Sequence, residues 1–129
     1  REAAMVKLVY VIRRREGMGP EEFRRYWLED HAPKVEAAAK EIRACRYVQS
    51  HTIDTPLNTA FVESRGLSPA FDGITELWWN SLEDLQAAAA TPEGADALQM
   101  FLEDEQQFID HGRSTIFMTE EHEIFDFTG

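Results

Sequence analysis

The runs Val6–Arg13 (VKLVYVIR) and Ile74–Trp79 (ITELWW) are apolar on both parities. Val9 and Val11 alternate with Leu8, Tyr10 and Ile12, and Ile74 and Trp78 alternate with Leu77 and Trp79. β-Branched and aromatic residues at this length predict strands. Successive side chains of a strand point to opposite faces, so a sheet built on these runs is apolar on both. One layer of helices covers only one of them. The economical cover for the other is the same face of a second copy, which predicts a two-fold homodimer.

The intervening segments supply the helices. Gly17-Met18-Gly19-Pro20 ends the first strand, and Pro20 suits the first position of a helix whose opening turn holds Glu21 and Glu22. Phe23, Trp27 and His31 are spaced four apart and share one helix face. Pro33 lacks the N–H that would bond the Glu29 carbonyl, so a kink or break is expected at His31-Ala32-Pro33, with a second helical piece to about Lys40. Arg43–Ser50 reads as a second strand. His51–Asp72 is polar and contains Pro, Gly and Ser, and reads as a long loop. Asp72-Gly73 is a turn signal before the third strand. Ser81 with Asp84 forms a capping box, and Thr91-Pro92 restarts that helix toward Phe108. Gly112 ends it, Ser114–Thr119 is the fourth strand, and Glu120–Gly129 is an acidic, aromatic tail. The order is βαββαβ, the ferredoxin-like arrangement of a four-stranded antiparallel sheet with helices on one face.

The chain's 129 residues, 43% hydrophobic, suffice for one core. The expected domain spans 5–127, with 1–4 set aside as an N-terminal extension before Met5. The net charge of −11 argues against a nucleic-acid partner. No run approaches the length of a membrane span, no secretory signal pattern opens the chain, and the lone Cys45 forms no internal disulfide. A cytoplasmic location is therefore expected. Cys45 itself is expected to be a small buried apolar residue.

Charge is divided along the chain. Residues 1–51 carry 11 basic and 8 acidic side chains, and residues 52–129 carry 2 and 16. The basic excess falls at Arg13, Arg14, Arg15, Arg24 and Arg25, and the acidic excess at Glu103, Asp104, Glu105, Glu120, Glu121 and Glu123. In a two-fold dimer the acidic tail of one subunit is placed to meet the basic strand end of the other.

The stretch Tyr26-Trp27-x-x-x-His31-Ala32-Pro33 carries a resemblance. LVYVIRRREGMGPEEFRRYWLEDHAPKV resembles the opening of EthD-domain proteins, a branch of the dimeric α+β barrels, and FDGITELWW with SLEDLQAAAATPEG resembles their third strand and second helix. The resemblance implies a monomer that pairs sheet to sheet, with a pocket between sheet and helices. It also implies chemistry on hydrophobic, aromatic or lactone-like small molecules without metal or flavin: monooxygenase, decarboxylase, cyclase or isomerase reactions. The segment His51–Asp72 departs from the match.

His31 is the first candidate general acid or base, since imidazole is the side chain suited to proton transfer at neutral pH. The alternative is that its ring caps carbonyls freed by Pro33. Glu76, a carboxylate in an apolar strand, is the second candidate, against a salt bridge with Arg46 on the neighbouring strand. Tyr10, Tyr26, Trp27, Trp78 and Trp79 are candidates to stack on a planar substrate or to be plain core. His51 lies either at the pocket mouth or in solvent, and Asp72 either assists the chemistry or, standing before Gly73, is a turn residue. The four histidines show no metal-binding spacing, and no nucleophile elbow, phosphate loop or dinucleotide fingerprint occurs. No cofactor and no metal are therefore expected. Three functions remain open: a cofactor-independent enzyme, a non-catalytic binding or accessory protein, or a purely structural dimer whose pocket is filled by side chains.

Overall fold

A computed structural model describes residues 5–129; the extension at 1–4 lies outside the described residues. Four strands, β1 (Val6–Ile12), β2 (Arg46–His51), β3 (Gly73–Trp79) and β4 (Thr115–Glu120), form one antiparallel sheet in the order β2-β3-β1-β4. The two most apolar strands take the centre, as strands buried on both faces do. The helices are α1 (Pro20–Arg25), a π-helical turn (Tyr26–His31), α2 (Ala32–Ala37), α3 (Ala39–Ile42), α4 (Pro56–Arg65), α5 (Leu82–Ala89) and α6 (Pro92–Glu105). This is the expected ferredoxin-like architecture. Among the described residues no helix is long and apolar enough to cross a membrane.

Register assigns the faces. Leu8 pairs with Leu77 and Met118, and Tyr47 with Leu77. Leu8, Tyr10, Ile12, Tyr47, Gln49, His51, Thr75, Leu77, Trp79 and Ile116 therefore look toward the helices. There Tyr10 and Ile12 pack with Phe23, Trp27 and Phe108, while Leu77 and Trp79 pack with Val35, Ile42, Ala97 and Phe101. Lys7, Val9, Val11, Val48, Ile74, Glu76, Trp78 and Phe117 form the opposite, open face.

Three local expectations are corrected. Pro33 does not break the helix: the Ala32 N–H reaches the Trp27 carbonyl five residues back, and the backbone stays right-handed through the turn. The extra residue in the π turn carries the chain past the proline without a helix end. The segment His51–Asp72 is not a plain loop but contains α4, with Thr55 as N-cap, Pro56 after it and Gly66 at φ +64 closing it. No α4 residue is buried, so no apolar stripe announced it. Cys45 is exposed rather than buried, with its Sγ 3.2 Å from the Trp78 carbonyl.

The helical layer turns on Gly94. A Cβ there would lie 1.9 Å from the Ala88 carbonyl oxygen and 3.0 Å from that of Glu41, so α3, α5 and α6 meet at a position that only glycine fits. Backbone on both sides cannot swing away. Gly94→Ala is expected to cost about 2–3 kcal/mol and to lower Tm by roughly 10 °C. Thermal unfolding checks this, and an unchanged Tm contradicts the packing described.

Candidate active site

His31 ends the π turn at the seam between the two halves of the core. Its ring centroid lies 4.9 Å from Phe108 and 6.4 Å from Phe101, and the residue is only 6% exposed. Nδ1 sits 2.7 Å from Asp104 Oδ2, not on a carbonyl freed by Pro33. Asp104, 8% exposed on α6, also accepts from the Tyr26 hydroxyl and from Lys34 Nζ, both at 2.7 Å on Oδ1. Burial pushes its carboxyl up, but hydrogen bonds from Lys34, Tyr26 and His31 outweigh this and hold it below its ordinary value. Lys34 is held up by the same hydrogen bond, against a smaller opposing effect of burial. An ionised carboxylate only accepts, so Nδ1 of His31 carries a proton, and in the neutral ring Nε2 presents its lone pair. Among the described residues Nε2 has no hydrogen-bond partner.

His31 lines a cavity of about 370 Å³ between sheet and helices. Tyr10, Trp27, Tyr47, Trp79, Phe101 and Phe108 are among its mostly apolar walls. Its polar groups are few. The Tyr10 hydroxyl donates to Glu105 Oε1 at 2.8 Å, and His111 Nε2 approaches the same oxygen at 3.1 Å. Burial beside Glu105 pushes the Tyr10 phenol well up, so it stays protonated. A wider groove of about 680 Å³ runs between α2 and β2; it shares Val35, Tyr47 and Leu77 with the cavity but does not reach His31.

The structure brings some expected residues together and separates others. Tyr10, Trp27 and Trp79 line the cavity with His31. Tyr26 lies behind it, with its hydroxyl on Asp104 and its ring on Phe108. His51 is half-buried, stacked on Trp27 at 4.4 Å, and faces the groove rather than the cavity or bulk solvent. Burial, then the Arg24 charge, lowers its pKa and favours the neutral ring.

Glu76 is on the open face, with the sheet between it and His31. Its partner is Lys7 at 2.8 Å and not Arg46, whose guanidinium stacks on Trp78 at 4.4 Å. Lys7 is raised chiefly by its hydrogen bond to Glu76. Asp72 braces Arg14, accepting from its backbone N–H at 2.8 Å and from Nη1 at 2.6 Å. Among the described residues no three His, Cys, Asp or Glu side chains gather as a metal site needs.

Sequence reasoning missed Asp104, Glu105 and Tyr47. A signal for Asp104 exists: Ala97, Phe101, Asp104 and Phe108 follow one helical stripe, and a carboxylate on an apolar stripe demands partners.

Fold and cavity together define a ferredoxin-like α+β protein with a mostly apolar cavity between sheet and helices. The family model for the EthD domain matches residues 15–112, and the chain belongs to the EthD family. An EthD family protein from Bacillus halodurans is 21% identical, with 92% of this chain and 99% of that one aligned at a TM-score of 0.62. A dimeric protein of ferredoxin-like fold from Bacteroides fragilis is 13% identical over 94% and 100%, at 0.59. SnoaB, a cofactor-independent oxygenase from Streptomyces nogalater, is 12% identical over 94% and 96%, at 0.56. Among curated proteins no sequence matches.

Proposed function

We propose that this protein binds a hydrophobic small molecule, aromatic or lactone-like, in the chamber under its sheet and moves a proton on it through His31 Nε2, with no metal or organic cofactor. The carrying observation is the locked imidazole: Asp104 fixes Nδ1, and the free lone pair lines an apolar cavity. Glu76 takes no part, because it lies across the sheet. Removing a proton from a phenol or enol leaves an electron-rich anion. In an oxygenation that anion supplies the electrons and dioxygen is the oxidant. The fold shared with a cofactor-independent oxygenase supports this reading.

The test combines binding with turnover. A thermal-shift screen against small phenols, polyketide-like aromatics and lactones is expected to find a stabilising ligand, worth about 2.7 kcal/mol at a hundredfold excess over Kd. His31→Ala is expected to keep that ligand and lose proton transfer by about 10²–10⁴-fold. Full turnover in the variant removes His31 from the reaction. Binding without turnover in the native protein favours the accessory reading, which Glu76's distance from the cavity also suits.

We also propose that the open face pairs with the same face of a second copy. Ile74 and Phe117 are 36% and 49% exposed there, with Val9 and Val11 beside them in the register. The dimeric ferredoxin-like relative supports this. The expected pairing of acidic tail with basic strand end is weaker. Arg13 is spent on the Pro69 and Ala70 carbonyls, Arg14 on Asp72, and Arg25 on Glu29 and Asp30. Glu121 is already held within its own subunit by Trp78 and Lys7.

A further inference from the structure

The cavity holds a second polar centre, which proton transfer at His31 leaves unused. Glu105, the last residue of α6, lines it with a side chain only 16% exposed. The backbone beneath it is fixed, because its carbonyl accepts from the Phe108 and Ile109 N–H groups at 3.1 and 2.8 Å. A carboxylate only accepts hydrogen bonds. Both donors that reach it, the Tyr10 hydroxyl at 2.8 Å and His111 Nε2 at 3.1 Å, fall on Oε1. Among the described residues Oε2 has no donor.

The two carboxylates of this stretch differ in their charged neighbours. Asp104 has Lys34 beside it, whereas among the described residues Glu105 has no Lys or Arg within ion-pair distance and only the partly exposed His111. Its field reaches two other walls of the cavity. It adds to burial in raising the Tyr10 phenol, and it acts in the same direction as burial at Tyr47, which is pushed up to about 12. A carboxylate oxygen without a donor in a mostly apolar cavity is costly until a donor arrives. Thr75, 7% exposed on β3, also lines the cavity, but a hydroxyl can turn either to donate or to accept. Glu105 cannot donate, so it discriminates.

We propose that Glu105 Oε2 is the acceptor for a ligand O–H, so that the cavity takes a neutral apolar molecule bearing a hydroxyl and excludes carboxylates. The proposal rests on the cavity being the ligand site, and it adds the group by which the ligand is oriented. With His31 Nε2 the cavity presents two acceptors, which suits a phenol or enol carrying a hydroxyl besides the proton lost to His31. A dihydroxy aromatic is the simplest such ligand. A ligand carboxylate would meet a like charge and leave Oε2 without its donor.

The test compares three molecules of one shape by calorimetry at neutral pH: 2-naphthol, 2-methylnaphthalene and 2-naphthoate. The native protein is expected to bind the naphthol at least about tenfold more tightly than the methyl compound, as a hydrogen bond to a charged group allows, and the naphthoate more weakly than either. In Glu105→Gln, Tyr10 and His111 still donate to the amide oxygen at the Oε1 position, so the fold is kept. The amide NH₂ then stands where Oε2 stood and donates instead of accepting. In that variant the naphthol preference is expected to vanish and the naphthoate to gain at least about tenfold. His31→Ala is expected to retain the preference, which separates the two acceptors. Native affinity for the naphthol no higher than for the methyl compound or the naphthoate, a preference that survives Glu105→Gln, or one that goes with His31→Ala overturns the Glu105 site and leaves the cavity reading standing. Failure of all three to bind overturns both.

Discussion

Replacing Asp104 by Asn is expected to reverse the tautomer of His31 while leaving the cavity's shape unchanged. Lys34 Nζ and the Tyr26 hydroxyl both donate to Oδ1 at 2.7 Å, so the new amide oxygen must stay at that position. The amide NH₂ then faces His31 Nδ1, which has to accept, and the ring proton moves to Nε2. A lone pair at the cavity becomes an N–H. Ring ¹⁵N shifts of His31 read this directly: Nδ1 is the protonated nitrogen in the native protein and Nε2 in Asp104→Asn. Proton abstraction through His31 is expected to fall about 10²–10⁴-fold. Unchanged ring shifts contradict the assigned roles.

Asp104→Ala goes further, because it strands three donors at once. With the His31 N–H buried and the Tyr26 hydroxyl half-buried, the expected cost is about 3 kcal/mol, or on the order of 10 °C in Tm. The same hub sets an acid limb. Asp104's folded pKa lies below its ordinary value of 3.8, so the unfolded chain binds the proton first as pH falls. The stability it contributes is full above about pH 5 and is lost as pH falls through the lowered pKa. Asp104→Asn is expected to flatten that part of the stability profile. An equally steep limb in the variant assigns acid unfolding to other carboxylates.

How much of this was legible in the sequence depended on what each signal required. Pro20 after Gly19 and the Ser81 and Thr91 caps are local, and the structure places a helix start at each. The π turn was half legible: Pro33 announces a disturbed hydrogen-bond ladder, but not that a wider turn absorbs it, nor that Gln49 comes from β2 to share the Trp27 carbonyl with the Ala32 N–H. Thr55-Pro56 carries the same cap signature as Thr91-Pro92, yet α4 buries nothing, so periodicity was silent where capping spoke.

The catalytic candidates divide along the same line. His31 was legible because Phe23 and Trp27 share its stripe. Asp104 was hidden between Glu103 and Glu105, where an acidic run reads as a solvated face. The stripe of Ala97, Phe101 and Phe108 singles out Asp104 among the three, and the placement of α6 against the π turn shows which side chains it meets. For Glu76 the parity was available: it alternates with Leu77 and shares a face with Ile74 and Trp78. What the sequence lacked was any sign of which face of a doubly apolar strand the helices would take.

That doubly apolar character leads to the remaining large effect. Placing a charge at Ile74 or Phe117 is expected to dissociate the proposed dimer without unfolding the subunit. Each side chain is exposed in the single chain, at 36% and 49%, so an Asp there meets water in the monomer and costs its fold little. In a two-fold dimer each position occurs twice. Only the exposed third to half of each side chain is left to bury, so losing it costs about 0.5–1.5 kcal/mol, two copies double that, and desolvating two carboxylates adds at least about 1–3 kcal/mol. Ile74→Asp and Phe117→Asp are therefore expected to weaken association at least about 10²–10⁴-fold, read by light scattering or sedimentation, with Tm of the dilute protein nearly unchanged. A native protein that is monomeric at micromolar concentration contradicts the pairing outright. Salt separates the two possible origins of affinity. Arg13, Arg14 and Arg25 already have partners within the subunit, and Lys7 is held between Glu76 and Glu121, which leaves Arg15 and Arg24 as the members of the basic cluster with no side-chain partner among the described residues. Burial of Val9, Val11, Ile74 and Phe117 is then the main driving force, and dimer affinity is expected to respond sharply to those side chains and hardly at all to ionic strength.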